Sequence, residues 1–245
     1  MTRSVVTTEW IDITSTGGET FKGYLARPPA GTGPGILLIQ EIFGVNHHIR
    51  TVAEQYALDG YLVLAPDVFW RQEPGVELGY DGEDLNKALK LVSEADFPNI
   101  IGDLARAADS LRQRPECEGS LASLGYCMGG ILSYLTAAEG AVDRAVCFYP
   151  GNIARHLDKA DRVRVPIQFH FAGQDAHITD EHVARTRQAF ARHPDASVHV
   201  YKGADHGFNC WARGSYQRQA AALSHGRVLE FLERQPQPDT SDSTG

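Results

Sequence analysis

Six consecutive residues, Gly125-Tyr126-Cys127-Met128-Gly129-Gly130, carry the strongest chemical signal in the chain. They follow a short apolar run and open a helical one. This is the strand–nucleophile–helix elbow with cysteine in the place more often held by serine. An elbow of this kind puts its nucleophile on a strained turn, so the residues two before and two after must be small. The helix that starts beneath the sulfur favours a thiolate. An ordinary thiol ionises near pH 8.5, about 1.5 units above neutral pH, so a nucleophilic cysteine needs a base or a dipole. A lone Gly-x-Cys-x-Gly also suits a buried structural cysteine. The preceding strand, the following helix and the third glycine favour the nucleophile.

An elbow implies partners in the chain order nucleophile, acid, histidine. Asp175 follows a strand-like run in Ala172-Gly173-Gln174-Asp175, and His206 follows the next one in Gly203-Ala204-Asp205-His206-Gly207-Phe208. A histidine there can take the thiol proton and return it to a leaving alcohol, while the acid fixes its tautomer. Asp205 competes with Asp175 for the acid role, but neighbouring side chains diverge. An earlier strand ends in Ile39-Gln40-Glu41-Ile42-Phe43-Gly44. The loop after that strand supplies one oxyanion donor in such folds. Here it is the backbone N–H of Ile42, with that of Met128 as the second. Glu41 is placed to hold or accept the thiol proton. His47 and His48 are adjacent on a helix, diverge by about 100°, and so do not form a metal pair.

These residues need a scaffold that brings strand ends together. Glu9–Thr14 and Thr20–Arg27 alternate in polarity around Gly17-Gly18 and read as an entry hairpin. Short apolar runs without alternation follow at 35–40, 61–65, 120–125, 145–149, 167–171 and 198–201. Strands covered on both faces look like this. Helical patterns lie between them at 48–58, 84–93, 101–112, 128–138, 180–192 and 216–233. The expectation is an α/β fold, a mostly parallel sheet of about eight strands with helices on both faces, which places its site at the carboxyl ends of the strands. Residues 1–234 read as a single domain, and Gln235–Gly245, rich in Pro, Ser and Asp, as a disordered tail.

The net charge of −8 over 245 residues comes without a basic run, which argues against nucleic acid as a partner. No stretch reaches the ~18 apolar residues of a membrane span. The four cysteines form no Cys-x-x-Cys pair, and the first residues lack a signal peptide's apolar core. A cytoplasmic protein with free thiols is the expectation.

With these motifs assembled, the chain resembles the dienelactone hydrolase family from about Glu9 to Glu233. The resemblance rests on Gln40-Glu41-Ile42-Phe43-Gly44-Val45-Asn46, Ala65-Pro66-Asp67, the elbow at 125–130, Gly173-Gln174-Asp175 and His206-Gly207-Phe208. It implies an α/β-hydrolase fold, a Cys127–His206–Asp175 triad, and a small-molecule ester or lactone as substrate. It also implies an acyl-enzyme intermediate, no metal or organic cofactor, and a monomer or weak homodimer. It matches Glu41 to the glutamate that pairs with the resting thiol and is redirected by substrate to deprotonate it. The family's dienelactone enzymes hold the substrate carboxylate with two arginines. Neither is in register here. The stretch 81–87 has none, and the position four after His206 is Cys210. Phe43, Arg71, Trp211 and Arg213 are the candidate substrate contacts. Thioester hydrolysis or acyl transfer on the same triad, or ligand binding without catalysis, are the alternatives.

Overall fold

The computed structural model describes residues 5–234. The tail expected at 235–245 lies outside the described residues. Eight strands form one sheet: β1 (Thr7–Thr14), β2 (Thr20–Arg27), β3 (Gly33–Ile39), β4 (Leu62–Pro66), β5 (Cys117–Tyr126), β6 (Arg144–Phe148), β7 (Ile167–Ala172) and β8 (Ala196–Tyr201). Their order across the sheet is β1-β2-β4-β3-β5-β6-β7-β8. The entry hairpin pairs Thr7 with Arg27 through Thr14 with Thr20 and joins β4 antiparallel, while β4 through β8 pair in parallel. Gly18 turns the hairpin at φ 86°, a region costly for any side chain.

Six helices connect or flank the strands: α1 (His47–Leu58), α2 (Gly82–Ser93), α3 (Phe97–Arg112), α4 (Met128–Ala138), α5 (Asp180–Ala189) and α6 (Arg218–Glu233). The chain moves from β3 outward to β4 through α1, then back past β3 to β5 through α3. Right-handed crossovers running in opposite directions put their helices on opposite faces. So α3, joined by α4, covers one face. α1 covers the other, where Tyr56 packs 5.0 Å from His225 of α6. The reversal at β3 is the topological switch point, and the crevice at such points is where ligands bind.

The elements sit where the apolar runs placed them, with differences at the ends. α3 begins four residues before the expected Ile101. Asp96 caps it by accepting from the Asn99 N–H at 3.2 Å, and Pro98 lies in its first turn. A proline there loses no helical hydrogen bond. α5 stops at Ala189 instead of Arg192, and two short 3₁₀ turns at Ile153–Arg155 and Leu157–Arg162 were not expected. β4, β6 and β7 are buried along their whole length, which explains their lack of alternation.

Candidate active site

The site is built at the carboxyl edge of the sheet. Cys127 follows the last residue of β5 and caps α4 with φ 55° and ψ −113°, a conformation that non-glycine residues rarely hold. Its N–H donates to the Phe148 carbonyl at 3.0 Å, and its carbonyl accepts from Gly130 at 3.0 Å. The glycines around it are steric necessities. A Cβ on Gly125 would stand 1.9 Å from the Gly129 carbonyl oxygen. On Gly129 it would stand 2.3 and 2.4 Å from those of Ile39 and Gln40, and on Gly130 2.6 Å from that of Phe148. All of these are backbone atoms that cannot swing away. The first turn of α4 is thus pressed against the end of β3, the strand that leads into Glu41 and Ile42. Among the described residues neither the Met128 N–H nor the Ile42 N–H has an acceptor.

Two strands further along, Asp175 and His206 leave β7 and β8. His206 Nδ1 donates to Asp175 Oδ2 at 2.7 Å, and Asp175 Oδ1 accepts from the N–H groups of His177 at 2.8 Å and Ile178 at 3.0 Å. The Asp175 side chain is fully shielded. Burial pushes its carboxyl up, but the His206 hydrogen bond and charge and the two backbone donors outweigh burial and hold it below the usual carboxylate range. Burial works against the His206 imidazolium, yet the bonded Asp175 carboxylate and the neighbouring Cys127 raise its pKa to about 10. Asp205, the rival acid, is exposed.

Glu41 is almost wholly buried, and burial pushes its carboxyl up while Arg213 and His206 pull it back down. The resemblance pairs this carboxylate with the resting thiol. In the structure its hydrogen-bond partner is Arg213 Nη1 at 3.3 Å, and the thiol faces His206. A buried carboxylate needs a compensating cation, and Arg213 supplies it. The guanidinium lies over the rings of Phe43 at 5.7 Å and Tyr80 at 5.5 Å. Gly207 makes room for it: at φ 81°, a Cβ there would stand 2.7 Å from Arg213 Nη1.

The loop after His206 explains how an arginine seven residues on reaches the centre. Its turns are closed by the Cys210 N–H on the Gly207 carbonyl, Arg213 on Cys210 and Gln217 on Phe208. They fold the segment back on itself. Cys210, which occupies the family arginine's position, is buried, and burial together with Glu41 pushes its thiol up to about 12.

The other candidates divide. Phe43 is buried beneath Arg213 and packs edge-on against Tyr80 at 4.6 Å. Trp211 is substantially exposed, with its ring centre 4.3 Å from that of His48 in an edge-on arrangement. Burial lowers His48 to about 4, so it is a neutral wall. Arg71 is a correction. Its guanidinium is held by Asp103 of α3 through Nε at 3.1 Å and Nη2 at 3.0 Å, and by Glu19 at 2.9 Å, with Trp70 beneath it. Committed to two carboxylates, it does not join the groups around Cys127.

Sequence reasoning singled out neither Tyr80 nor Tyr149. Tyr80 lies in a loop fastened to the β3 end by the Leu78 N–H on the Phe43 carbonyl and by Asn46, the α1 cap, which donates to Leu78 and to the Tyr80 hydroxyl. Asp67 fixes the start of that excursion by accepting from Phe69 and Gly75. The motif Ala65-Pro66-Asp67 is therefore a loop anchor.

The sheet order, the elbow and the strand-end acid and histidine define an α/β-hydrolase. Comparison with known proteins gives the finer placement. Residues 21–235 match the dienelactone hydrolase family. The chain is 36% identical over 226 residues to a carboxymethylenebutenolidase of Pseudomonas putida, covering 92% of this chain and 96% of that one. It is 32% identical over 228 residues to one from another Pseudomonas species, covering 93% and 95%. A solved structure from Klebsiella pneumoniae, described as a candidate dienelactone hydrolase, superposes with a TM-score of 0.83 at 31% identity, covering 94% and 99%. The chain belongs to the dienelactone hydrolase family and is a hydrolase of that type. No helix among the described residues is long and apolar enough to cross a membrane.

Proposed function

We propose that the protein opens a small carboxylated ester or lactone through a covalent acyl-enzyme on Cys127, with His206 as proton carrier and Asp175 as its orienting acid. The observation that carries this reading is the 2.7 Å Asp175–His206 bond joined to an imidazole that faces a nucleophile on a strained elbow. His206 takes the proton from Cys127 Sγ as the sulfur bonds to the carbonyl carbon. The charge that collects on the carbonyl oxygen meets the N–H groups of Ile42 and Met128, each worth about 3 kcal/mol in such a site. As the carbon–oxygen ester bond breaks, the imidazolium gives its proton to the leaving oxygen. In a lactone that alcohol stays tethered to the acyl chain. Water, deprotonated by His206, then attacks the thioester carbonyl and releases the acid and the thiol.

Arg213 is the cation for a substrate carboxylate. It already lies at the centre, its partner Glu41 is held by a single bond of 3.3 Å, and its side chain is partly exposed. A substrate carboxylate that draws Arg213 away leaves Glu41 a buried, uncompensated base beside the thiol. Trp211 and Phe43 serve as the apolar wall and floor. The four free cysteines fit work in the reducing cytoplasm.

The test is a matched pair of enol-lactones, with and without a carboxylate, assayed on the wild type and Arg213→Met. The reading expects the wild type to prefer the carboxylated member by at least tenfold in kcat/KM and the variant to lose that preference. A variant that keeps it removes Arg213 from substrate recognition. Inertness of the wild type toward both members refutes the reading as a whole.

A further inference from the structure

Tyr149 stands one step beyond the Tyr126–Phe148 register pair, directly across from Cys127, whose N–H is bonded to the Phe148 carbonyl at 3.0 Å. It carries two local costs. Its backbone is at φ 31°, a positive value a tyrosine rarely holds, locked by its N–H on the His170 carbonyl at 2.7 Å. Its hydroxyl is shut off from solvent and has no hydrogen-bond partner among the described residues. A phenylalanine would remove the second cost without altering the packing. The ring is fixed between His206, at 4.9 Å, and Phe208, at 5.4 Å. As a rule buried polar groups are paired, and of the few exceptions here this one alone packs its ring against His206 and Phe208 beside Cys127, so an acceptor that forms during the reaction accounts for it.

The charged and titratable groups around this hydroxyl, besides His206 itself, come from three directions. They are Glu41 after β3, Tyr126 and Cys127 at the end of β5, and Cys210 and Arg213 from the loop after β8. Because the hydroxyl is shut off from bulk solvent, its acceptor is sought among these protein groups. Glu41 is engaged by Arg213 before substrate arrives and carries no hydrogen bond from Tyr149. Cys127 is the neighbour that turns from neutral to anionic as the reaction starts.

We propose that the Tyr149 hydroxyl donates a hydrogen bond to the sulfur of Cys127 in its thiolate form, a contact made as His206 takes the thiol proton. The proposal rests on Cys127 being the nucleophile. Tyr149 keeps its own proton throughout, and no covalent bond changes at its oxygen. The thiolate is then held from two sides, by the imidazolium and by the phenol, with the α4 amino terminus beneath it.

The experiment follows the Cys127 thiolate against pH by ultraviolet absorbance and by the rate of iodoacetamide alkylation, with Cys127→Ala as the background. Tyr149→Phe should move the thiolate midpoint up by about one to two pH units, the effect of losing one hydrogen bond to a charge. Ester kcat/KM near neutral pH should fall about tenfold with KM little changed. The melting temperature should stay at or above that of the wild type, because the lost hydroxyl had no partner. Replacing Tyr149 by 3-fluorotyrosine, a stronger donor of almost the same shape, should move the midpoint the other way. A midpoint unmoved in both variants overturns the proposal, and so does an activity loss that accompanies a lower melting temperature with an unmoved midpoint. Full hydrolysis by Cys127→Ala would instead overturn the nucleophile assignment, a result readable apart from either midpoint.

Discussion

Replacing Asp175 by asparagine should cost the protein about two orders of magnitude or more in kcat, for reasons that can be followed atom by atom. Asp175 Oδ1 holds two backbone N–H groups, so an asparagine would keep its carbonyl oxygen there. Its amide NH₂ would then face His206 Nδ1, where the carboxylate now accepts at 2.7 Å. A donor facing a nitrogen forces that nitrogen to accept, so the ring proton moves to Nε2, and Nε2 is then unable to take a proton from the thiol. The imidazolium also loses its counter-charge. At about 4 Å and an effective dielectric of about 20, that interaction is worth about 4 kcal/mol. The remaining amide dipole recovers part of it, leaving roughly 3 kcal/mol, or about two pH units in the stability of the ion pair. The same acid-to-amide change costs about 10⁴-fold in a serine triad. A thiol is more acidic than a serine hydroxyl, so the smaller figure of about 10²–10³ applies here. The assay is kcat/KM for an aryl ester across pH, with iodoacetamide alkylation of Cys127 alongside. The reactive thiolate should appear about two pH units higher in the variant. Activity within threefold of the wild type, with an unshifted alkylation profile, would refute the reasoning.

Two further outcomes bear on the scaffold. Gly129→Ala places a methyl against the Ile39 and Gln40 carbonyl oxygens, so it should lower stability by about 1–3 kcal/mol and cut hydrolysis further by spreading the two oxyanion donors; chemical denaturation and kcat measure both, and a variant matching the wild type in each would show that the elbow has slack. His170 is buried and neutral, bonded to Tyr201 at 2.7 Å and Gln168 at 2.8 Å, with burial holding its pKa well below the ordinary value. The unfolded chain therefore binds a proton that the folded chain refuses, and below about pH 6.5 this costs about 1.4 kcal/mol of stability per pH unit. His170→Gln should flatten that acid limb in urea denaturation, and an unchanged slope would count against the assignment.

Much of this was legible in the sequence, for identifiable reasons. The buried strands announced themselves because two-sided burial removes polarity alternation. The elbow was legible because close backbone approach leaves glycine as the sole choice at 125 and 129. Asp175 and His206 followed from strand-end position and chain order. What was hidden depended on long-range pairing or on turn geometry. Arg71 looked available until Asp103, thirty-two residues away on α3, claimed it. Arg213 looked out of register because nothing local reveals that the turns through Cys210 fold it back toward Glu41. Tyr80 reaches the centre only through contacts made by Asn46 and Leu78. Tyr149 was readable as an aromatic at a strand end, but its positive φ and its unpaired hydroxyl are properties of the folded chain alone.

The central claim is that a covalent bond forms at Cys127. It is tested most directly by mixing the protein with a slowly deacylating aryl ester, quenching in acid during the first turnover, and measuring the intact mass and the proteolytic peptides. The account predicts a mass increase of one acyl group on the peptide that carries Cys127, formed as fast as the aryl alcohol burst and absent in Cys127→Ala. Release of the aryl alcohol at full rate with no acyl group on Cys127, or by the alanine variant, would contradict it.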